Sequence, residues 1–283
     1  MDGRQGGGTP TCERCGGTVA PDGYCWDCGV AQAAFRSRVE VSAGGAAGVS
    51  DRGKRREVNA DAMAVTTAGA WTIGVVCDGV SMSPRSERAA LLAAEVASAA
   101  LASALRAGTV PEVALEDATG RAGRAVAALA VAPDEAPACT FVAGVAGPDG
   151  LWCAWIGDSR AYWLPDEGLA IALTEDDTGE LDVLTGWLGA GNGEPVPRVR
   201  SSRPAVPGRL LLCTDGLWRY LPGAEALRAR LAPAPGSRGG GLLEGARSLV
   251  GYALDAGGHD NVTALLLPVP AEVPPRAGAT GGV

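Results

Sequence analysis

Apolar residues gather in short unbroken blocks at 71–77, 140–146, 151–156, 161–164, 209–213 and 262–267, with Gly, Pro, Asp or Ser close to their ends. Blocks of this length predict buried strands rather than helices, which need ten or more periodic positions. Helical patterning falls between the blocks. Ser83-Pro84 reads as an N-cap followed by the first helical position, with Glu87 in the first turn and Gly108 at the end. A second helix is predicted over 111–131 and a third over 241–255, the last placing Leu242, Ala246, Leu249 and Ala253 on one face. Strands in runs and helices in pairs predict an α+β protein with largely antiparallel sheets, layered so that helices cover them.

The two ends of the chain break this pattern. Cys12-x2-Cys15 and Cys25-x2-Cys28, each beside glycine, have the spacing of two knuckles that set four thiolates around zinc at about 2.3 Å. So short a segment cannot bury a core, and metal binding supplies its folding free energy. A disulfide or redox pair is the competing reading of these cysteines. The organisation expected is a zinc ribbon at 1–32, a linker at 33–47, one domain over 48–268 and a Pro/Gly-rich disordered tail at 269–283. The ribbon serves either as a recruitment module or as a structural cap.

Charge narrows the partners. With 24 Lys and Arg against 32 Asp and Glu, the formal charge is -8, which disfavours nucleic acid and anionic membrane. The first ten residues carry no basic stretch leading into an apolar one, and the longest apolar segment, 89–105, is interrupted by Glu95. A cytoplasmic protein with reduced thiols is expected. Cys77, Cys139, Cys153 and Cys213 sit on strand-like blocks and read as core residues.

Three aspartates stand out against this background: Asp78 in VVCDGV, Asp215 in LLLCTDG and Asp260 in GGHDN. The first two follow an apolar block and precede glycine, the form of a strand that stops and presents a carboxylate at its tip. Carboxylates brought together repel, so such a site needs protons or hard divalent cations. Two oxygen-ligated ions clamp a phosphoryl group and lower the pKa of water without a histidine base. The chain has one histidine, His259.

Taken in order, SDRGKRREVNAD, CDGV, ACTFVAGV, WIGDSRAYWL, LTEDDT, LLLCTDGLW and GGHDNVT resemble the motif series of the metal-dependent protein phosphatases of the PPM (type 2C) family. The resemblance spans residues 48 to 268. It implies a layered β-sandwich of two antiparallel sheets flanked by helices, with two Mg²⁺ or Mn²⁺ ions in a cleft at one end. On that match Asp78 bridges the ions, the Gly79 carbonyl holds the first, and Asp215 and Asp260 hold the second. Arg56 takes the substrate phosphate, Asp61 supports the metal network and Asp158 lies beside a third ion. The implied reaction is hydrolysis of phosphoserine or phosphothreonine in proteins by a water activated between two metals. The partners implied are phosphorylated proteins, with a kinase or scaffold docking through the ribbon.

The chain departs from that series in three places. Ala60 stands where an acidic residue is usual, Val80-Ser81-Met82-Ser83 replaces a glycine pair, and Arg219 sits where an acid would help a third ion, so no stable third site is expected. Ala60 and the altered loop motivate an alternative: a weakly active or inactive phosphatase-like domain that binds phosphoproteins or partners through its zinc ribbon.

Overall fold

The apolar blocks are strands because both of their faces are covered. The computed structural model describes residues 11–20, 23–30, 32, 37–132, 135–232 and 241–271. A hairpin, β1 (Arg38–Ala43) and β2 (Ala46–Asp51), leads to a second, β3 (Ala62–Ala68) and β4 (Trp71–Cys77). Two helices follow, α1 (Ser86–Arg106) and α2 (Pro111–Ala127). Then come β5 (Ala138–Cys139), β6 (Phe141–Gly147), β7 (Gly150–Ile156), β8 (Arg160–Pro165), β9 (Ile171–Ala172), β10 (Leu188–Gly189), β11 (Arg198–Ser202) and β12 (Gly208–Cys213). Helices α3 (Asp215–Trp218), α4 (Ala224–Leu231) and α5 (Leu242–Asp255) precede the last strand, β13 (Val262–Val269).

These strands form two antiparallel sheets, ordered β1-β2-β13-β12-β8-β9 and β11-β7-β6-β4-β3, with a small β10-β5 pair beside them. Met63, Val76, Val142, Leu210, Leu212, Leu265 and Leu267 fill the space between the sheets. The outer face of the second sheet packs on α1 and α2 through Ile73, Val75, Ala93, Ala97, Leu101, Leu115 and Phe141. The outer face of the first packs on α3, α4 and α5 through Val49, Tyr162, Leu211, Leu217, Leu249 and Leu266. The architecture is therefore helices, sheet, sheet, helices. Every residue of β6 and β7 is buried, so neither strand alternates as a half-solvated antiparallel strand would. The sheets approach closely where side chains are missing: a Cβ on Gly144 would lie 2.6 Å from a Leu210 methyl, and one on Gly74 2.8 Å from a Leu267 methyl.

Helix α1 is long and apolar enough, by length and composition, to cross a membrane. In the fold its alanines lie against the sheet, with Ala89, Ala90, Ala93 and Ala97 fully covered, as in an interior helix.

Two expectations are corrected. Residues 38–47, placed in a linker, form β1 and the start of β2, so the folded domain begins about ten residues before 48. Strand β1 is an edge strand whose residues alternate between exposed and half-buried, so it shows no apolar block. Ser83 does not cap α1, which begins at Ser86 after Arg85 in the left-handed conformation, φ 53°. The Ser83 hydroxyl instead donates to the Val80 carbonyl at 2.9 Å and accepts from the Ala138 amide at 3.0 Å, tying its loop to β5. The predicted tail lies outside the described residues beyond 271, and Val269 still belongs to β13.

Candidate metal centre

Strand pairing gathers the aspartates at one end of the sandwich. In the register of β12 on β13, Cys213 lies opposite Ala264, so Asp215, just past one strand, and Asp260, just before the other, flank the same edge. Strand β2 pairs Asp51 with Val262, which brings the 52–60 loop to that edge. In the second sheet Ala62 faces Cys77, setting Asp61 beside Asp78. The β7–β8 turn adds Asp158, whose carbonyl accepts the Trp218 indole N–H at 2.8 Å.

Five carboxylates thus share one region, and three of them, Asp61, Asp78 and Asp158, are raised by burial and by their acidic neighbours. Burial pushes Asp78 well above the ordinary carboxylate range, and Asp61, Asp215, Asp158 and Asp260 add repulsion. Burial also raises Asp61 to about 7, with Asp215 and Asp260 pushing the same way against hydrogen bonds from Thr263 and Thr214. Asp158 rises to about 6, again by burial first and then by Asp215 and Asp176.

Backbone and hydroxyl groups hold this arrangement. The Asp78 amide donates to Thr140 Oγ1 at 3.1 Å, and the Thr140 amide to the Asp78 carbonyl at 2.8 Å. Thr140 Oγ1 lies 2.7 Å from Ser159 Oγ in a buried pair. Gly79 is cradled by backbone: a Cβ there would meet the Ser86 carbonyl oxygen at 2.8 Å and that of Ala60 at 2.9 Å. Asp61 Oδ2 accepts from Thr214 Oγ1 at 2.8 Å and Thr263 Oγ1 at 2.6 Å, linking the strand before Asp215 to the strand after Asp260.

Two arginines enter the cluster. Arg56 forks onto Asp260, Nε to Oδ1 at 2.7 Å and a terminal nitrogen to Oδ2 at 2.6 Å. Arg219, one helical turn past Asp215, donates from Nε to Asp215 Oδ2 at 2.8 Å. These guanidiniums neutralise the outer carboxylates but reach neither Asp61 Oδ1 nor Asp215 Oδ1, which are buried without a hydrogen-bond partner. Orphaned buried carboxylate oxygens amid further carboxylates suit hard divalent cations. The donor set therefore fits Mg²⁺ or Mn²⁺; Asp78, the Gly79 carbonyl, Asp215 and Asp260 are the residues that would hold them, with Asp61 and Asp158 beside them.

Asn261 is a further structural residue of the centre, one that the sequence reading does not name. Its side-chain oxygen accepts from the Ala60 amide at 2.8 Å, and its nitrogen donates to the Arg52 carbonyl at 2.8 Å and the Val58 carbonyl at 3.0 Å. It clamps the loop that carries Arg56. The signal that could have found it is its position directly after Asp260 in GGHDN.

The remaining polar and aromatic residues fall elsewhere. His259 is exposed, its ring set edgewise to Tyr220 at 6.3 Å. Burial raises the thiols of Cys77, Cys153 and Cys213, consistent with a role in packing. Trp152, Trp155 and Trp163 are buried, and Trp218 carries the Arg160 guanidinium 3.6 Å from its ring centroid.

The four N-terminal cysteines form a separate cluster, with all four sulfurs within 4.8 Å of one another. Cys12 lies 3.6 Å from Cys28 and Cys15 3.5 Å from Cys25, against about 3.8 Å between sulfurs of a tetrahedral zinc–thiolate site. Gln32 Nε2 and the Arg14 amide donate to Cys12 Sγ at 3.3 and 3.4 Å, which suits a thiolate. The cysteines therefore fit zinc.

The family model described as Protein phosphatase 2C matches residues 50–235. Among solved structures, a bacterial serine phosphatase superposes with a TM-score of 0.66 at 21% identity, covering 81% of this chain and 98% of that one. PppA, a key regulatory component of T6SS in Pseudomonas aeruginosa, gives 0.63 at 25% identity over 81% and 98%. The catalytic domain of the serine/threonine protein phosphatase PstP, in complex with two manganese ions, gives 0.58 at 28% identity over 79% and 97%. No curated protein matches.

Proposed function

Because this chain belongs to the protein phosphatase 2C family, we propose that its aspartate cluster hydrolyses phosphoserine and phosphothreonine in proteins with two Mg²⁺ or Mn²⁺ ions. The observation that carries this reading is the pair of orphaned buried oxygens, Asp61 Oδ1 and Asp215 Oδ1, at the point where five carboxylates meet. When bound, such a pair of ions lowers the pKa of water and takes up charge on the phosphoryl group.

This chain's own residues do the rest. Asp78, Asp215 and Asp260 set the site's negative charge, and Asp61, gripped by two threonines, fixes the distance between the sheets' ends. Asp158 extends the acidic edge toward Arg219. Arg56 is the phosphate-binding group: its side chain is 39% exposed at the rim, and its guanidinium pairs with Asp260 in the same forked geometry that a phosphate would accept. Release of Arg56 from Asp260 frees that carboxylate for cation binding and the fork for substrate.

The ribbon presents Trp26, 73% exposed, and we assign to that face the docking of a kinase or scaffold. A cytoplasmic location fits the reduced thiol cluster. The test is turnover of a phosphothreonine peptide with Mn²⁺, with and without chelator, in the parent chain and in Asp215→Asn and Asp260→Asn. Loss of turnover in both variants is expected. Peptide binding without turnover in the parent would make this a phosphoprotein-binding domain instead.

A further inference from the structure

Among the described residues, the zinc ribbon meets the phosphatase domain through Tyr24 and Arg88, close to the metal centre. Tyr24, the neighbour of Cys25, sets its ring under the Arg88 guanidinium, 5.3 Å from the centroid. Around it Ala20 and Gly23 are buried and the Tyr24 hydroxyl is covered. Arg88 is the third residue of α1, and its amide donates to the Arg85 carbonyl at 3.0 Å.

That first turn is strained and tightly fitted. Arg85 holds a left-handed conformation at φ 53°, which costs a non-glycine residue and persists only where the surroundings impose it. The Arg85 side chain is anchored on the Leu129 carbonyl at 3.1 Å. One residue on, the Ser86 carbonyl presses on Gly79 so closely that a Cβ there would lie 2.8 Å away. The chain of contact is short: Cys25, Tyr24, Arg88, the strained turn, Gly79, Asp78.

We propose that the Tyr24 face of the ribbon is an interaction surface for the first turn of α1, so that metal on the four thiolates steadies the Gly79 loop and strengthens divalent-cation binding at the aspartates. The docking stands on the contacts alone, and the effect on cation binding rests on the phosphatase reading. A ring–guanidinium contact of this kind shifts an equilibrium about 3- to 30-fold, depending on its desolvation.

The experiment uses the full zinc-loaded chain and reads deuterium uptake over residues 79–92, alongside Mn²⁺ affinity from paramagnetic resonance of the free ion. Arg88→Ala lies outside the ribbon and retains one equivalent of zinc, which is measured. Expected are a 3- to 30-fold fall in protection of 79–92 and a weakening of Mn²⁺ binding within the same range, about what the contact contributes. Arg88→Lys restores part of both, since it keeps the cation but not the planar fork. Stripping zinc from the parent reproduces the loss of protection, and stripping it from Arg88→Ala adds nothing further. Unchanged protection in zinc-loaded Arg88→Ala, or full additivity of the two perturbations, overturns the docking. Deuterium uptake needs no turnover, so a chain that loses protection yet hydrolyses nothing keeps the docking and sinks the enzyme reading.

Discussion

Asp61→Asn tests whether burial and repulsion among the carboxylates govern the stability of this centre. Asp61 is 3% exposed, and its raised value, about 7 against an ordinary 3.8, comes first from burial and then from Asp215 and Asp260. A carboxylate raised in the folded state contributes stability that is fully present below 3.8 and is lost as pH rises through about 7. At about 1.36 kcal/mol per pKa unit, the metal-free fold at pH 8 carries a penalty on the order of 4 kcal/mol from this one group.

Asparagine cannot ionise, and its carbonyl still accepts the Thr214 and Thr263 hydroxyls, so most of that penalty disappears. In chelator at pH 8 the variant should melt roughly 5–12 °C higher than the parent, at about 2–4 °C per kcal/mol for a domain of this size. The gap should open between pH 4 and 7 and stay level above. Added Mn²⁺ should raise the melting temperature of the parent more than that of the variant, because the ions relieve repulsion that the variant no longer has. Thermal denaturation followed by circular dichroism across pH, with and without Mn²⁺, reads both. A gap of equal size at pH 4 and pH 8, or a variant less stable than the parent at pH 8, refutes the reasoning.

Gly79→Ala should cost about 1–3 kcal/mol and lower Mn²⁺ affinity at least tenfold, because its methyl group meets backbone oxygens of Ser86 and Ala60 on either side; calorimetric titration and denaturation read the two separately. Arg56→Ala should raise KM for a phosphothreonine peptide and at the same time tighten Mn²⁺ binding, since Asp260 loses its forked partner, while Arg56→Lys should recover only part of the KM. Steady-state kinetics beside a metal titration would show it, and a KM that does not move removes Arg56 from the phosphate. Cys12→Ser should abolish stoichiometric zinc and make residues 11–32 sensitive to protease, because among the described residues that segment's buried apolar cluster is confined to Cys12, Val19 and Cys25 with Cys28 beside them; limited proteolysis with mass spectrometry checks it.

What the chain states by itself follows from burial. Strands β4, β6, β7, β8, β12 and β13 were legible because each is covered by a second sheet on one face and by helices on the other, which demands unbroken apolar runs. Edge strands escaped the same rule: β1 and β11 alternate or carry arginine and serine on exposed positions, so neither forms a block. Local hydrogen-bond competition explains Ser83, whose hydroxyl serves β5 rather than the helix. Short helices α3 and α4 owe their place to packing against the first sheet, with Leu217 and Leu227 as anchors, and too few residues to show a period.

The aspartates and the cysteine knuckles were visible as residue types at telling spacings, since metal chemistry restricts ligands to few kinds. Only the tertiary structure decided that residues up to 199 positions apart would meet, because strand register, set by which side chains fill the space between the sheets, brings Asp61, Asp78, Asp215 and Asp260 to one edge. It also decided which carboxylate oxygens an arginine reaches and which stay bare. A sequence names the charges, but their energies depend on distance and burial, and both are properties of the packed chain.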